Sequence, residues 1–274
     1  MLEVTRSRPR AFLRWAGSKK QLFPAISKYW RTDYVRYIEP FCGSASLFFE
    51  LLPTQAALSD INSDLIDTLR AVQASPDLVS ECLGRLKTDE KSYYRVRAQQ
   101  PMELAPIPRA ARFIYLTLLC FNGLYRVNKL GQFNVPYGSK HRKEMLDPLS
   151  MRATSRALSE VELITRDFEV AVDAANSGDF LYLDPPYVTS KERAFVHYDA
   201  TGFSHGDLTR LVLALQRADL RGVQFVLSYA DYPGLIDLCS EWAVSRVQTR
   251  RNIAGFAGSR KQIDEVLISN VSPS

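Results

Sequence analysis

Phe180-Leu181-Tyr182-Leu183-Asp184-Pro185-Pro186-Tyr187 is the stretch on which the reading of this chain turns. Four apolar residues run into an acid, two prolines and a tyrosine. A short, continuously apolar strand suits the interior of a parallel sheet. The prolines have a fixed φ and stiffen the turn that follows. Open α/β sheets bind ligands at the carboxyl ends of their strands. Asp184, Pro185, Pro186 and Tyr187 therefore stand where catalytic groups are expected. By composition, such a tetrapeptide arises by chance on the order of once in a thousand chains of this length.

The flanking sequence supplies the rest of such a sheet. Upstream, Tyr37-Ile38 reads as a short buried strand running into Glu39-Pro40-Phe41-Cys42-Gly43-Ser44-Ala45. A helix through Leu47, Phe48, Leu51 and Leu52 should follow, then a strand over Ala56 to Asp60. Leu65, Ile66, Leu69 and Val72 have helical spacing, with Asn62 as the cap. Near the N-terminus, Ser18-Lys19-Lys20-Gln21 has the form of a capping box, and the apolar spacing behind it predicts a helix over 19–30. Downstream, strands are expected at Val161–Thr165, Val223–Leu227, Val244–Val247 and Val266–Ile268. Ser204 should cap a helix bearing Leu208, Leu211, Val212 and Leu215. Between the two α/β pieces, residues 76–155 carry helical periodicity and little strand signal, and Phe121 to Lys143 reads as loops or a hairpin. The expected fold is α/β, a Rossmann-like sheet split by an inserted, mainly helical domain.

The chain has 274 residues, and its 46 % apolar and 24 % charged residues are ordinary for a folded globular protein. No apolar run approaches the roughly 20 residues of a membrane span. The basic N-terminus lacks the apolar core of a secretory signal. Cys42, Cys82, Cys120 and Cys239 are 40, 38 and 119 residues apart, matching neither a zinc site nor a disulfide framework. No metal is expected, the two cysteines Cys42 and Cys120 should be inert, and a reducing, cytoplasmic setting fits. The net charge of +5 is unevenly spread. Residues 1–31 hold eight Lys or Arg against Glu3, residues 109–143 hold seven and no acid, and residues 246–261 hold five and no acid. Such patches suit a polyanion, whose neutralised phosphates release counterions. Arg250, Arg251, Arg260 and Lys261 flank Gly255 and Gly258 as a phosphate-binding loop, while His197 and His205 read as surface or capping histidines.

An acid followed by two prolines and an aromatic ring suits one difficult task. The exocyclic amine of a nucleobase is a poor nucleophile because its lone pair is delocalised into the ring. The Asp184 carboxylate and the Pro185 carbonyl, aimed at its two hydrogens, would localise that pair. The Tyr187 ring could stack on the base, an interaction worth roughly 1–3 kcal/mol. A base inside a duplex must be flipped out to reach such a pocket. Gly43 lets backbone approach a ligand closely, and Asp60, seventeen residues on, ends the next strand where ribose hydroxyls are held in dinucleotide-binding sheets. The three-glycine fingerprint and the Walker motif are both absent.

Over residues 10–269 these motifs, in this order, resemble the Dam-type (D12 class, alpha group) DNA adenine-N6 methyltransferases. The match is carried by Phe12 to Lys19, Glu39 to Ser46, Leu58 to Leu65, Phe121 to Arg126, Gly131 to Gly138, Asp167-Phe168 and Asp184 to Tyr187. The resemblance implies S-adenosyl-L-methionine as cofactor and double-stranded DNA as substrate. Trp15 and Lys19 would hold the methionine end of the cofactor, with Lys19 near its carboxylate. Phe41, Cys42 and Gly43 would line it, Asp60 would take the ribose hydroxyls, Asp167 and Phe168 the adenine, and Asp184 would border it. Residues 1–64 and 156–274 would form the catalytic domain, and 65–155 the target-recognition domain. On the DNA side the resemblance implies Arg126 on a guanine of GATC, Leu124 and Pro136 on neighbouring bases, Arg14 on the other guanine and Phe121 as a wedge at the flipped base. Asn122, Asn134 and Lys140 complete that set. Arginine is the usual bidentate reader of guanine, and asparagine suits adenine. Two positions depart from the family pattern: Ala45 and Ser18 stand where glycines are usual, so retained cofactor binding with altered affinity is expected. The resemblance admits a partner restriction endonuclease and leaves the oligomeric state open. Cytosine-N4 methylation, methylation of an RNA base and a catalytically dead DNA-binding paralogue stand as alternatives. Asp184 rather than serine favours adenine over cytosine.

Overall fold

A computed structural model describes residues 8–17, 19–138, 147–188, 203–250 and 262–274, with the side chains of 249–250 and 262–264 left aside. Its centre is a seven-stranded sheet of β1 (Tyr37–Glu39), β2 (Ala56–Asp60), β3 (Val161–Thr165), β4 (Phe180–Leu183), β5 (Gln224–Ala230), β6 (Ala243–Arg250) and β7 (Gln262–Ser269). The order across the sheet is β3-β2-β1-β4-β5-β7-β6. The first five strands are parallel, and β7 lies antiparallel between β5 and β6. Chain order runs outward from β1 to β3 on one side and resumes at β4 on the other. The switch point lies between β1 and β4, where a crevice opens at the carboxyl ends of the strands.

Side chains alternate between the faces of the sheet, as strand geometry requires. Phe180, Tyr182, Val226 and Leu267 enter one apolar core. Leu181, Leu183, Phe225, Leu227, Val266 and Ile268 enter the other. The helices are α1 (Phe23–Ile26), α2 (Ser46–Leu51), α3 (Ser63–Ala74), α4 (Pro76–Gly84), α5 (Glu90–Ala98), α6 (Pro106–Leu119), α7 (Pro148–Leu158), α8 (Phe168–Asp173), α9 (His205–Leu220) and α10 (Pro233–Leu238). The first core continues without a break into α3, α4, α5 and α6, and α8 with α9 covers the second. α3 packs on β3 as well as on α6 and α7, so it bridges the expected domain boundary.

Local chemistry explains the helix starts. Asn62 Oδ1 accepts from the Leu65 amide at 3.1 Å, and Ser204 and Asp207 form a reciprocal capping box at α9, satisfying amides that a helix leaves unpaired. The N-terminal helix differs from expectation. Residues 20–29 form a 3₁₀ turn, the single turn of α1 and a second 3₁₀ turn. Pro24 has no N–H to return to Lys20, and the Phe23 amide bonds the Lys20 carbonyl instead, which tightens the winding. The Ser18 of the expected capping box lies outside the described residues. The expected hairpin is present: Val127 bridges Phe133 and Cys120 bridges Tyr137, both antiparallel.

Candidate active site

A cavity of about 450 Å³ opens at the switch point, within the roughly 300–1,000 Å³ of small-molecule sites. Three strand ends build it. From β1 come Glu39, Phe41, Cys42 and Gly43, from β2 Asp60, and from β4 Asp184 to Tyr187. Trp15 and Lys19 close it from the N-terminal segment, and Leu124 and Tyr125 from the hairpin.

The glycine loop is moulded around Asp60. One carboxylate oxygen accepts from the Gly43 amide at 3.1 Å and the other from the Asn62 amide at 3.0 Å. Gly43 has φ +46°, and a Cβ there would lie 2.9 Å from Cδ1 of Trp15. Both the backbone and the neighbouring indole thus require glycine. That indole is stacked on Tyr125 at 5.3 Å. Ala45, where the family pattern has glycine, is left-handed at φ +51°. The Cys42 thiol is buried, and burial pushes its pKa up, with Asp60 and Glu39 adding to the shift. Burial likewise pushes Cys120 up to about 11. Neither is poised as a nucleophile.

Asp184 is partly exposed and borders a buried polar cluster. Lys19 Nζ lies 3.5 Å from its Oδ1 and 2.8 Å from Glu265 Oε2, and also contacts the Tyr187 hydroxyl. The Tyr187 hydroxyl lies 2.9 Å from both Glu265 oxygens. Burial alone would lower the Lys19 pKa, but Asp184, Tyr187 and Glu265 outweigh it and hold the ammonium well above its ordinary value. Ser228 Oγ donates to Asp184 Oδ1 at 3.4 Å, and the Val188 amide donates to the Tyr229 hydroxyl at 2.7 Å. Glu39 is fully buried and accepts from Tyr37 at 2.9 Å. Burial raises its pKa well above the usual carboxylate range, and the charges of Asp184 and Asp60 raise it further.

The structure therefore gathers Trp15, Lys19, Phe41, Cys42, Gly43, Asp60 and Asp184 to Tyr187 around one cavity. Asp167 and Phe168 stand behind it. Phe168 stacks on Phe41 at 5.2 Å, while Asp167 caps α8 and pairs with Arg210 at 2.9 Å. On the hairpin, Arg126 Nε donates to Asn134 Oδ1 at 2.7 Å. Phe121 and Pro136 are exposed, and Asn122 is left-handed at φ +55°. Exposed Arg14 packs its stem on Gly123, where a Cβ would lie 2.6 Å from its Cγ. Lys140, His197 and residues 251–261 lie outside the described residues, as does the side chain of Arg250. His205 is exposed at the start of α9.

The sequence reading gave no role to Glu265, Ser228, Tyr229 or Glu39. The one available signal was an acid at the buried end of an apolar strand, present at Glu39 and again at Glu265 beside Val266-Leu267-Ile268. Among the described residues no helix is long and apolar enough to cross a membrane, and no group of three or more His, Cys, Asp or Glu could hold a metal.

The model of a family described as D12 class N6 adenine-specific DNA methyltransferase matches residues 15–253. The chain is 34 % identical to the Type II methyltransferase M1.LlaDCHI of Lactococcus lactis subsp. cremoris, covering 98 % of each protein. It is 32 % identical to the Type II methyltransferase M.MjaIII of Methanocaldococcus jannaschii, over 95 % of this chain and 99 % of that one. It is 28 % identical to the DNA adenine methylase of Escherichia coli K12, over 94 % of each.

Proposed function

The chain belongs to the D12 class N6 adenine-specific DNA methyltransferases, and from that premise we propose that it methylates N6 of an adenine flipped out of double-stranded DNA at GATC or a close relative, using S-adenosyl-L-methionine. The observation that carries this reading is the convergence of Asp184 to Tyr187 with the Gly43 loop and Asp60 on a single cavity. Two relatives of about a third identity are named Type II methyltransferases. They support a sequence-specific modification role, with a partner restriction endonuclease among its settings.

The cavity wall suits the cofactor. Trp15 covers the space a side chain at Gly43 would need, which leaves flat aromatic and backbone surface. Phe41 adds a second ring, and Asp60 brings a carboxylate, bound to two amides, to the cavity wall where ribose hydroxyls would lie. Trp15, Phe41, Cys42, Gly43 and Asp60 would hold it, with Asp167 and Phe168 at its adenine and Phe168 stacked on Phe41. Lys19 faces the carboxylates of Asp184 and Glu265, so it serves the catalytic motif as well as the methionine end. When bound, S-adenosyl-L-methionine supplies an electrophilic methyl group on a sulfonium.

The chain's own residues prepare the nucleophile. Asp184 and the Pro185 carbonyl accept from the adenine amine and localise its lone pair. The ammonium of Lys19, 3.5 Å away, favours the acceptor form of Asp184. The Tyr187 ring stacks on the flipped base, and Pro185 and Pro186 keep the turn stiff. Holding the adenine amine in a fixed place beside the cofactor cavity would supply much of the rate. Phe121, presented beside left-handed Asn122, fills the space the adenine leaves. Arg126, aligned by Asn134, reads a guanine, with Leu124 and Pro136 on neighbouring bases and Arg14 on the other guanine. Residues 65–155 act as the target-recognition unit on the catalytic pieces 1–64 and 156–274.

Transfer of a labelled methyl group to duplex oligonucleotides tests the reading. Label on N6 of adenine in duplexes containing GATC or a one-base variant supports it. Label on cytosine N4 or only on RNA contradicts it, and no label together with DNA binding indicates a dead paralogue.

A further inference from the structure

We propose that Glu265 is a positioning residue for this reaction: from β7 it fixes the Tyr187 ring and the Lys19 ammonium relative to Asp184. The proposal rests on the function inferred above. Tyr187 lies 78 positions upstream, and its hydroxyl sits 2.9 Å from both Glu265 oxygens. Lys19 Nζ lies 2.8 Å from Oε2 of the same carboxylate and 4.6 Å from the centre of the Tyr187 ring. Tyr229 meets that ring edge-on at 4.9 Å. The ring is thereby held at its phenol end, on one face and at one edge.

The anchor itself is rigid. Glu265 is 1 % exposed and pairs in register with Ala230 of β5 on one side and Val247 of β6 on the other. Groups mounted on paired strands hold a geometry more tightly than groups on loops. The Asp184-to-Tyr187 segment has no regular structure of its own, so an anchor in the sheet gives it precision. Packing alone does not call for a buried carboxylate, because burying a charge is unfavourable unless it is paired and hydrogen-bonded. A carboxylate shared between an ammonium and a phenol meets that condition and ties two active-site groups to one strand. Glu265 is not part of the cavity wall, so it acts through Tyr187 and Lys19 and touches no reactant.

The test uses the full chain with Glu265→Gln, Glu265→Asp, Tyr187→Phe and the double variant carrying Glu265→Gln and Tyr187→Phe. Misplacing a reacting geometry by about 1 Å costs about 100-fold, so Glu265→Gln should lower kcat about 10- to 100-fold. Its Kd for S-adenosyl-L-methionine should rise by less than kcat falls, because Trp15, Phe41 and Asp60 still hold the cofactor while Lys19 loses one anchor, and the fluorescence of 2-aminopurine in place of the target adenine should change in the DNA complex. With the phenol gone, Glu265→Gln should reduce kcat by less than it does in the unaltered chain, the remainder being its hold on Lys19; this is the non-additivity expected of contacting residues. Glu265→Asp keeps the charge but draws it back by one methylene, and should also lose kcat, which serves if the glutamine variant fails to fold. A folded Glu265→Gln with kcat within twofold of the unaltered chain, or losses that multiply in the double variant, would overturn the proposal. If the unaltered chain transfers no methyl to adenine, the functional reading fails. Crystal structures of the unaltered and Glu265→Gln chains then decide the positioning claim: a displaced Tyr187 ring supports it and an unmoved ring refutes it.

Discussion

Removing the Asp60 side chain should unfasten the cofactor loop and weaken the fold by a calculable amount. In Asp60→Ala, the amides of Gly43 and Asn62 lose their acceptors, at 3.1 and 3.0 Å in the unaltered protein. A buried amide left unpaired costs about 1–3 kcal/mol. The Gly43 amide is buried and should approach the upper half of that range. Asn62 is half-exposed, so water replaces part of its lost bond. The sum is about 2–4 kcal/mol. Asp60→Asn keeps one acceptor oxygen but turns an NH₂ toward the other amide, and should cost about half as much. Urea denaturation at fixed pH measures both values, and a fluorescence titration measures binding of S-adenosyl-L-methionine. Both variants should lose at least about tenfold in affinity, equivalent to about 1.4 kcal/mol, because the hydroxyl acceptor and the loop are altered together. If Asp60→Ala costs under about 1 kcal/mol and binds the cofactor normally, the loop is not organised by this carboxylate and its role in binding is wrong.

Three further outcomes follow from the same geometry. Gly43→Ala places a Cβ 2.9 Å from the Trp15 indole at φ +46°; it should lower stability by about 1–2 kcal/mol from the left-handed backbone alone and weaken cofactor binding, read by thermal melting and titration. Burial raises the Glu39 pKa in the folded state, so its contribution is fully present below the unfolded value of about 4.3 and is lost as pH rises through the folded value. Glu39→Gln lacks that loss, so urea midpoints should move in its favour relative to the unaltered chain between pH 5 and pH 8, and a pH-independent difference would refute the assignment. Arg126→Ala should lose about 1–3 kcal/mol of discrimination at one base position in methylation assays on substituted duplexes, whereas uniform weakening on all sequences would make it a phosphate contact.

The parts of the fold legible in the sequence were those written in local patterns. The apolar runs at Tyr37, Ala56 and Phe180 are interior parallel strands, buried enough to need no polar face, whereas the run at Val161 is the edge strand, where Glu162 and Thr165 are exposed. Asn62 and Ser204 cap the helices they precede because cap chemistry involves neighbours only three residues apart. The site was legible where strand ends carry their own chemistry, as at Asp60 and Asp184. What stayed hidden depends on pairings distant in sequence. Nothing local says that β7 inserts between β5 and β6, and only that insertion brings Glu265 to Lys19, 246 residues away. Nor does anything local say that Oδ1 of Asp167 pairs with Arg210, 43 residues on, while it also accepts from the Glu169 amide at the start of α8. The N-terminal helix failed for a local reason, since apolar spacing carried no penalty for the N–H missing at Pro24.

The most direct measurement is modification-sensitive long-read sequencing of plasmid DNA from a methylation-deficient host expressing the chain, beside a host expressing Asp184→Ala. We predict N6-methyladenine at one recurrent short motif, GATC or a close relative, with the unaltered chain and none with the variant. Marks on cytosine N4, adenine marks that persist with Asp184→Ala, or unmodified DNA despite soluble protein would contradict the central claim.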